Sequence, residues 1–268
     1  MSIHINKQLI IFVVENYFMI LYPNAKINIG LNIESRRSDG YHNISSVFYP
    51  VIDCFDIIEV IESEDFLFTS SGIPIPNGVN LCEKAYLLIK EKYKIPPVHI
   101  HLHKIIPIGA GLGGGSSDAS FTLKSLNILF NLNINNNELE KLALYLGADC
   151  PFFISNTPKY ITGVGEVMRD VDLDLSSYNI RLINNDIHIS TQDAYAQLEL
   201  FKSNSFLEEF IDKPVNLWKD NIINDFEKSI FKTYPILKKT KQELYKKGAL
   251  YSSMTGTGSA IYGLFNKE

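Results

Sequence analysis

The 268-residue sequence is poor in the features that mark disulfide-bonded, zinc-binding and nucleic-acid-binding proteins. Its three cysteines are scattered along the chain, which gives no zinc signature and fits a reducing cytoplasm. It has no run of basic residues, and its net charge of −5 argues against non-specific binding to nucleic acid. The apolar stretch at residues 9–14 is cut by Glu15, so it is too short to span a bilayer, and no cleavage site follows it.

The composition is that of a globular protein, with 46% apolar and 21% charged residues. At this length, one large domain or two medium ones are expected. Residues 1–21 are an extension of unclear role. They form either an extra strand or a loose extension, or the biological start is Met19, because well-patterned sequence begins shortly after it.

The most unusual stretch is a glycine-rich loop, with five glycines among residues 109–115, followed by Ser116, Ser117 and Asp118. A helix is predicted to begin at the serines, because apolar residues recur every three or four positions after them. Such a loop presents unpaired N–H groups and the positive end of a helix dipole, which is an arrangement that binds phosphate. The alternatives are a flexible linker or a tight turn. A tight turn needs only one or two glycines, and a linker would not lead into an amphipathic helix.

The same loop satisfies G-x-G-x-x-G, so rival motifs have to be tested. A dinucleotide-binding fold requires an acidic residue about 20 positions later, and residues 130–133 contain none. A Walker A loop requires lysine after the last glycine, but Gly115 is followed by Ser116. The His-Arg-Asp and Asp-Phe-Gly tripeptides of protein kinases are absent.

Upstream of the loop, the alternation of residues 25–33 predicts a half-buried strand with Lys26 and Asn28 on its polar face. On the residues alone, that polar face is by default solvated surface. Asp-Gly at residues 39–40 predicts a hairpin turn. Asp149, ahead of a proline, is typical of a helix cap.

A second alternating strand at residues 98–103 places His99, His101 and His103 on one face. Three imidazoles suit a metal site, but no carboxylate or cysteine lies nearby in sequence, so the exposed face of an edge or outer strand is favoured. Residues 187–191 are predicted to form a short strand that ends in hydroxyls, and the glycine- and threonine-rich loop at residues 255–258 is predicted to line a site.

Five sequence stretches together resemble the GHMP kinase superfamily. The loop at residues 107–117 is similar to its phosphate-binding motif, and the Gly-Leu-Gly-Gly-Gly-Ser-Ser form is typical of the kinases that act on 4-diphosphocytidyl-2-C-methyl-D-erythritol. The same branch is indicated by Pro-Asn-Ala-Lys-Ile-Asn at 23–28, Asp-Gly-Tyr-His at 39–42, Leu-Gly-Ala-Asp-Cys-Pro-Phe at 146–152 and Thr-Gly-Thr-Gly at 255–258. The resemblance runs from about Pro23 to the end, and the closing helix of many relatives is absent.

The resemblance implies an α+β, two-lobed GHMP-kinase-like fold. In that fold an N-terminal ATP-binding lobe (1–158) is followed by a C-terminal ferredoxin-like lobe (159–268), with the active site between them. It implies ATP-dependent phosphorylation of the 2-hydroxyl of 4-diphosphocytidyl-2-C-methyl-D-erythritol in isoprenoid precursor synthesis. The alternatives are another GHMP kinase of homoserine or mevalonate type, a catalytically silent nucleotide-binding module and a dinucleotide oxidoreductase.

The resemblance also assigns residues to roles. Lys26 and Asp149 are expected to be catalytic. The ATP-binding residues are expected to be Asn80, Lys104, Pro107, Ile108, Gly109, Ala110, Gly111, Leu112, Gly113, Gly114, Gly115, Ser116 and Ser117. The substrate-binding residues are expected to be Asn28, Tyr41, His42, Thr191 and Tyr195.

ATP is the expected co-substrate, accompanied by Mg²⁺ held mainly by phosphates and water, because no carboxylate cluster marks a metal cage. No protein residue is therefore assigned to the metal. The expected partner is the small-molecule cytidyl diphosphate substrate, with no nucleic acid and no membrane. A cytoplasmic monomer or weak homodimer is expected.

Overall fold

The computed structural model describes residues 3–6, 9–13, 18–76, 78–198 and 205–267. Helices and strands are mixed along the chain, which confirms the predicted α+β class. The strands are β1 Ile3–Asn6, β2 Leu9–Val13, β3 Phe18–Leu21, β4 Asn24–Arg36, β5 His42–Phe55, β6 Ile57–Glu62, β7 Leu67–Gly72, β8 Val98–Lys104, β9 Lys159–Thr162, β10 Val167–Asp170, β11 Tyr178–Ile183, β12 Tyr251–Met254 and β13 Ile261–Asn266. The helices are α1 Leu81–Tyr93, α2 Gly114–Leu129, α3 Asn136–Leu144, α4 Cys150–Ser155, α5 Thr191–Ala196, α6 Leu207–Phe210, α7 Glu227–Thr233 and α8 Pro235–Lys246, with a 3₁₀ turn at Val215–Leu217.

The chain forms two compact units that are discontinuous in sequence. Unit 1 comprises Met1–Ala25, Pro50–Ile108 and Gly113–Thr157, and unit 2 comprises Lys26–Tyr49, Gly109–Leu112 and Pro158–Glu268. The chain therefore passes from unit 2 back to unit 1 within the glycine-rich loop, between Leu112 and Gly113. The continuous domains 1–158 and 159–268 stay a prediction.

Unit 1 is built on a six-stranded sheet in the order β1-β2-β3-β6-β8-β7, antiparallel except for the β7–β8 pair. One face of β6 and β8 is fully buried, at Ile58, Val60, Ile100 and Leu102. Helix α2 packs against β3 and β6, and α1 packs against α2. The alternation along β8 thus buries its apolar residues, as period-two patterning requires.

Near the N-terminus, strands β1 to β3 extend this sheet, which agrees with the extra-strand interpretation of residues 1–21. Among the described residues, no helix combines the length and apolar character required to cross a bilayer. The predicted face of His99, His101 and His103 lies on β8, but β8 is flanked by β6 and β7 rather than lying at an edge. The hydroxyls of Thr69 and Ser71 on β7 contact these imidazoles at 2.7–2.9 Å.

Most of a four-stranded sheet in the order β10-β9-β5-β4 belongs to unit 2. The unit also contains a three-stranded sheet in the order β11-β13-β12. Strand β9 pairs with β5 from Ser46↔Ile161 to Phe48↔Lys159, and a hairpin at residues 162–166 joins β9 to β10. Helices α7 and α8 pack on each other, and α8 packs on β12 and β13.

Three local predictions were wrong. Strand β4 is not half-buried, because Lys26 and Asn28 on its polar face are 3% and 2% exposed. Helix α2 begins at Gly114, ahead of the serines. The stretch at residues 187–190 forms no strand; instead the Ser190 hydroxyl accepts a hydrogen bond from the N–H of Asp193 and caps α5.

Candidate active site

The backbone of the glycine-rich loop alternates in conformation. The angle φ is positive at every second residue, with 68° at Gly109, 77° at Gly111 and 71° at Gly113. Positive φ is accessible to glycine at little cost, and such alternating backbones gather N–H groups into anion-binding concavities. Within the described part of the chain, the N–H groups from Gly111 to Ser116 donate to no backbone or side-chain acceptor. The loop therefore offers unused donors, as an anion site requires.

In unit 2, the loop is held by the second glycine loop, residues 255–258. The Thr255 Oγ1 atom lies 3.0 Å from the Gly111 carbonyl oxygen, and the N–H of Ala260 donates to the carbonyl of Ala110 at 3.2 Å. A Cβ atom added at Gly111 would lie 2.2 Å from the carbonyl oxygen of Thr255. The two loops approach so closely that no side chain fits at Gly111.

In unit 1, the loop continues into the first turn of α2. Gly113 is the N-cap and has no side chain with which to cap, so the first N–H groups of α2 stay available. A Cβ atom at Gly114 would lie 2.8 Å from the Lys104 Nζ atom and 2.9 Å from Ile106, so this glycine lets the start of the helix pack tightly. The positive end of the α2 dipole favours an anion at this turn.

The predicted ATP residue Lys104 is buried beneath that turn. Its ammonium donates to the carboxylates of Asp56 and Asp118, the latter at 2.9 Å. Burial alone would lower the pKa of Lys104, but Asp118 and Asp56 outweigh it and the pKa is raised. Asp56 also accepts from the N–H groups of Ile105 and Ile106 at 2.5 and 2.8 Å. The amine of Lys104 is thus committed to two carboxylates, and a role at adenine stays a prediction.

The other predicted adenine residue, Asn80, caps α1. Its side chain accepts a hydrogen bond from the N–H of Cys82 at 2.8 Å, and the side chain of Glu83 accepts from the N–H of Asn80. This reciprocal pair is a capping box. A contact of Asn80 with adenine likewise stays a prediction.

In unit 2, the structure brings Lys26 and Asn28 together. The Lys26 ammonium donates to the Asn28 Oδ1 atom at 2.5 Å and lies 4.4 Å from the centre of the Phe48 ring. The backbone N–H of Lys26 donates to the Leu112 carbonyl at 2.9 Å, so β4 is bonded to the glycine-rich loop. The N–H of Asn28 donates to Thr255 Oγ1 at 3.0 Å. Both polar side chains are therefore fixed beside the two glycine loops.

In unit 1, Asp149 occupies the N-cap position of α4 but makes no capping hydrogen bond through its side chain. The helix that follows is anchored to α2, because the Ser120 hydroxyl donates to the Cys150 carbonyl at 2.7 Å and Lys124 donates to the Phe153 carbonyl at 2.6 Å. The carboxylate is half-buried. The capping role considered from the sequence is therefore not observed, and cooperation with Lys26, which belongs to unit 2, stays a prediction.

The predicted cytidine residues are partly clustered. The rings of His42 and Tyr195 stack with centroids 5.1 Å apart and planes 27° apart. Tyr195 also meets Phe226 edge-on at 4.9 Å, whereas Tyr41 is 65% exposed. Burial, and then the nearby Arg36 charge, lower the pKa of His42, which favours the neutral imidazole that can both donate and accept hydrogen bonds. Thr191 is exposed at the first position of α5.

Three features of the site were not predicted as site residues. Thr255 was visible only as part of a glycine- and threonine-rich loop. His188 lies against the glycine-rich loop, since a Cβ atom at Gly109 would be 2.6 Å from its Nδ1 atom. Asp56 and Asp118 bind the amine of Lys104. They lie far from Lys104 in sequence, so no local sequence signal could have identified them as its partners.

Comparison with known proteins identifies the family. The model of the GHMP kinases N terminal domain matches residues 80–157, and that of GHMP kinases C terminal matches residues 200–268. The 4-diphosphocytidyl-2-C-methyl-D-erythritol kinase of Azobacteroides pseudotrichonymphae genomovar. CFP2 is 50% identical over 252 residues, which cover 93% of this chain and 94% of that protein. The kinase of the same name from Bacteroides fragilis (strain YCH46) is 48% identical, with 93% of each chain covered. The chain belongs to this kinase family.

Solved structures agree with the placement in the 4-diphosphocytidyl-2-C-methyl-D-erythritol kinase family. A crystal structure of 4-(cytidine 5'-diphospho)-2C-methyl-D-erythritol kinase matches with a TM-score of 0.79 and 30% identity, covering 92% of this chain and 90% of the other. A homoserine kinase from Cytophaga hutchinsonii ATCC 33406 matches with a TM-score of 0.69 over 96% of this chain and 88% of its own. At 16% identity, the second match shows the shared fold alone.

Proposed function

We propose that this protein is an ATP-dependent kinase that phosphorylates the 2-hydroxyl of 4-diphosphocytidyl-2-C-methyl-D-erythritol. The observation that carries the proposal is the row of N–H groups from Gly111 to Ser116 without acceptors, at the start of a long helix. Transfer of a phosphoryl group requires donors that neutralise the charge spread over the phosphate oxygens, and these N–H groups are such donors. The identity of the phosphoryl acceptor is proposed from the names of the relatives, which are kinases of 4-diphosphocytidyl-2-C-methyl-D-erythritol.

The chemistry is assigned to Asp149 and Lys26. Asp149 accepts the proton of the 2-hydroxyl while that oxygen bonds to the γ-phosphorus of ATP, and the bond from the γ-phosphorus to the bridging oxygen breaks to release ADP. Lys26 is assigned to orient the reacting hydroxyl, because its ammonium can donate hydrogen bonds to an oxygen atom. Asn28, bonded to the Lys26 ammonium, fixes the direction of that side chain.

The cytidine end is assigned to the ring cluster of unit 2. Tyr195 and Tyr41 provide aromatic faces for the base, and His42 binds its polar edge. The stacking of His42 on Tyr195 supports this assignment, because two of the residues assigned to the base already lie side by side without the substrate. Thr191 is assigned to the diphosphate or the reacting hydroxyl.

Mg²⁺ is expected to accompany ATP and to neutralise phosphate charge. No group of three His, Cys, Asp or Glu residues that could hold a metal occurs among the residues searched, which are those the structure describes. The hydroxyl of Ser117, in the first turn of α2, is buried and finds no hydrogen-bond partner among the residues that the structure describes. Mg²⁺ takes oxygen ligands, so this hydroxyl fits the ion. We therefore assign the ion mainly to phosphate oxygens, with Ser117 as the group of this chain that fits it.

The proposal is tested by measuring ADP release with a panel of acceptors. Turnover with the cytidyl substrate, and none with homoserine or mevalonate, is expected. Phosphorylation of mevalonate or homoserine instead would assign the protein to another branch of the GHMP kinases.

The base is tested by Asp149→Asn, which keeps the shape but cannot accept the proton. The turnover number is expected to fall by about 10²–10⁴-fold with ATP binding retained. Asp65→Asn, an exposed carboxylate of the same unit, is the matched control and should leave turnover unchanged. Equal activity of both variants would remove Asp149 from the mechanism.

A further inference from the structure

We propose that Asn224 is a positioning residue for the nucleotide, acting through the second glycine loop at residues 255–258. This inference rests on the proposed kinase function. Asn224 lies just before α7, more than 100 residues after the phosphate-binding loop, and no step of the proposed chemistry uses it.

The side chain of Asn224 is buried and its polar atoms are committed. It is 1% exposed. Its Nδ2 atom donates to the carbonyls of Met254 at 2.8 Å and Gly256 at 2.9 Å, while its Oδ1 atom accepts from the N–H of Phe226 at 3.0 Å. Both amide hydrogens are thus spent on the backbone on either side of Thr255. The amide therefore fixes the conformation of the second glycine loop.

The backbone around Asn224 is in turn fixed to strand β4. The N–H of Leu31 donates to the Ile223 carbonyl at 3.0 Å, and the N–H of Asp225 donates back to the Leu31 carbonyl at 2.8 Å. The Asp225 carboxylate accepts from the N–H of Ile33 at 2.8 Å. Strand β4 also carries Lys26 and Asn28. Asn224 therefore connects the second glycine loop to β4, the strand that carries the predicted catalytic residue Lys26.

The second glycine loop transmits that position to the first. Thr255 contacts both Gly111 and Asn28 through its hydroxyl, at 3.0 Å from the Gly111 carbonyl and from the Asn28 nitrogen. A Cβ atom at Gly256 would lie 3.2 Å from the Gly111 Cα atom, so the two backbones touch. A displacement of residues 254–256 would therefore displace Gly111, whose N–H is one of the unused donors of the loop.

The test uses Asn224→Asp, in which the carboxylate has the shape of the amide but cannot donate to the two carbonyls. We expect the KM for ATP and the Kd for ADP to rise by about tenfold or more, since two buried carbonyls lose their donor. The KM for the cytidyl substrate should rise less than the KM for ATP, because the predicted base-binding residues Tyr41, His42 and Tyr195 lie outside the loop, although Asn28 contacts Thr255. Asn221→Asp, the same substitution three residues earlier, removes one exposed donor to the Leu217 carbonyl and should leave every constant unchanged.

A second pair of variants keeps the test decisive if Asn224→Asp does not fold. Thr255→Val keeps the shape but loses the hydroxyl contacts, and it should raise the Kd for ADP, whereas Thr255→Ser should restore the affinity of the wild type. An unchanged Kd in Asn224→Asp with a lower melting temperature, or equal affinity in Thr255→Val and Thr255→Ser, would overturn the proposal.

ADP affinity, measured by calorimetry without acceptor, separates this proposal from the proposed function. If the wild type binds ADP in an Asn224-dependent manner but does not turn over the cytidyl substrate, the positioning role stands and the acceptor assignment fails. If the wild type binds no ADP, both fail.

Discussion

Gly111 shows how one absent side chain shapes this site. Its φ of 77° lies in the left-handed region, and a Cβ atom there would lie 2.2 Å from a backbone oxygen, which cannot rotate away. Both the backbone angle and the contact with Thr255 thus require glycine. By contrast, Gly115 lies within α2, and an added Cβ atom would have its nearest contact at 4.0 Å.

Gly111→Ala should therefore be strongly destabilising, by at least about 1–3 kcal/mol from backbone strain alone. Nucleotide affinity should fall with it, because the loop has to move away from Thr255. Gly115→Ala is the matched control for stability, and it should be neutral or gain up to about 1 kcal/mol because alanine favours the helix. Chemical denaturation of both variants measures the difference; a Gly111→Ala protein as stable as the wild type would contradict the close approach of the loops.

Single residues also mark the limit of prediction from the sequence. The unusual backbone of the glycine-rich loop could be anticipated because its glycines are adjacent in the chain, while its binding of phosphate stays a prediction. The burial of Lys26 could not be predicted. Alternation assigns the residues of a strand to two faces, but it does not show whether the polar face is covered by other parts of the protein. Likewise, the sequence could not reveal that the amine of Lys104 is bound by Asp56 and Asp118, which lie 48 and 14 residues away. The role of Lys104 at adenine stays a prediction.

At the scale of elements, the joint between β8 and α2 depends on three buried charges. Lys104 ends β8, Asp118 lies in the first turns of α2, and Asp56 precedes β6. Burial, partly offset by Lys104, raises the pKa of Asp118 well above its usual value of 3.8. The network holds the start of α2, with the unused N–H groups of its first turn, against the sheet.

Lys104→Met should leave two buried carboxylates without their cation and cost about 3–5 kcal/mol at neutral pH. The loss should be smaller at pH 5 than at pH 8. With its folded-state pKa raised further, Asp118 takes up a proton more readily in the folded protein than in the unfolded one, so stability falls as pH rises through that window. Lys92→Met, which breaks the exposed pair with Glu138, is the control and should change stability little at either pH. A pH-independent loss in Lys104→Met would argue against a buried charged Asp118.

Elements differed in how well they could be predicted. Helices α1 and α8 carry clear end signals in the sequence: the capping box of Asn80 and Glu83 starts α1, and Pro235 lies in the first turn of α8. Residues 187–191 were wrongly predicted as a strand. Apolar and polar residues alternate at only three positions there, and so short a pattern also occurs in extended backbone that pairs with no strand. No neighbouring strand pairs with that segment among the described residues, and Ser190 caps a helix instead.

At the scale of the whole molecule, the two units interleave along the chain. Unit 2 takes Lys26–Tyr49 from the N-terminal half, and these residues pair with the C-terminal half through Ser46↔Ile161 and the Leu31 hydrogen bond to Ile223. Local patterns could not predict this, because a strand does not specify which distant strand completes its sheet.

Fragments 1–158 and 159–268, expressed separately, should therefore fail to fold on their own. The first would expose β5 without β9, and the second would lose the β4 backbone that binds Ile223 and Asp225. Amide NMR spectra and cooperative thermal unfolding report the result: poorly dispersed signals are expected for each fragment. Mixing the two should restore dispersion and ADP binding if the exposed β5 edge accepts β9 again. A folded 1–158 fragment with a sharp unfolding transition would instead support a continuous N-terminal domain, and Lys26–Tyr49 would then be stable without its partners in unit 2.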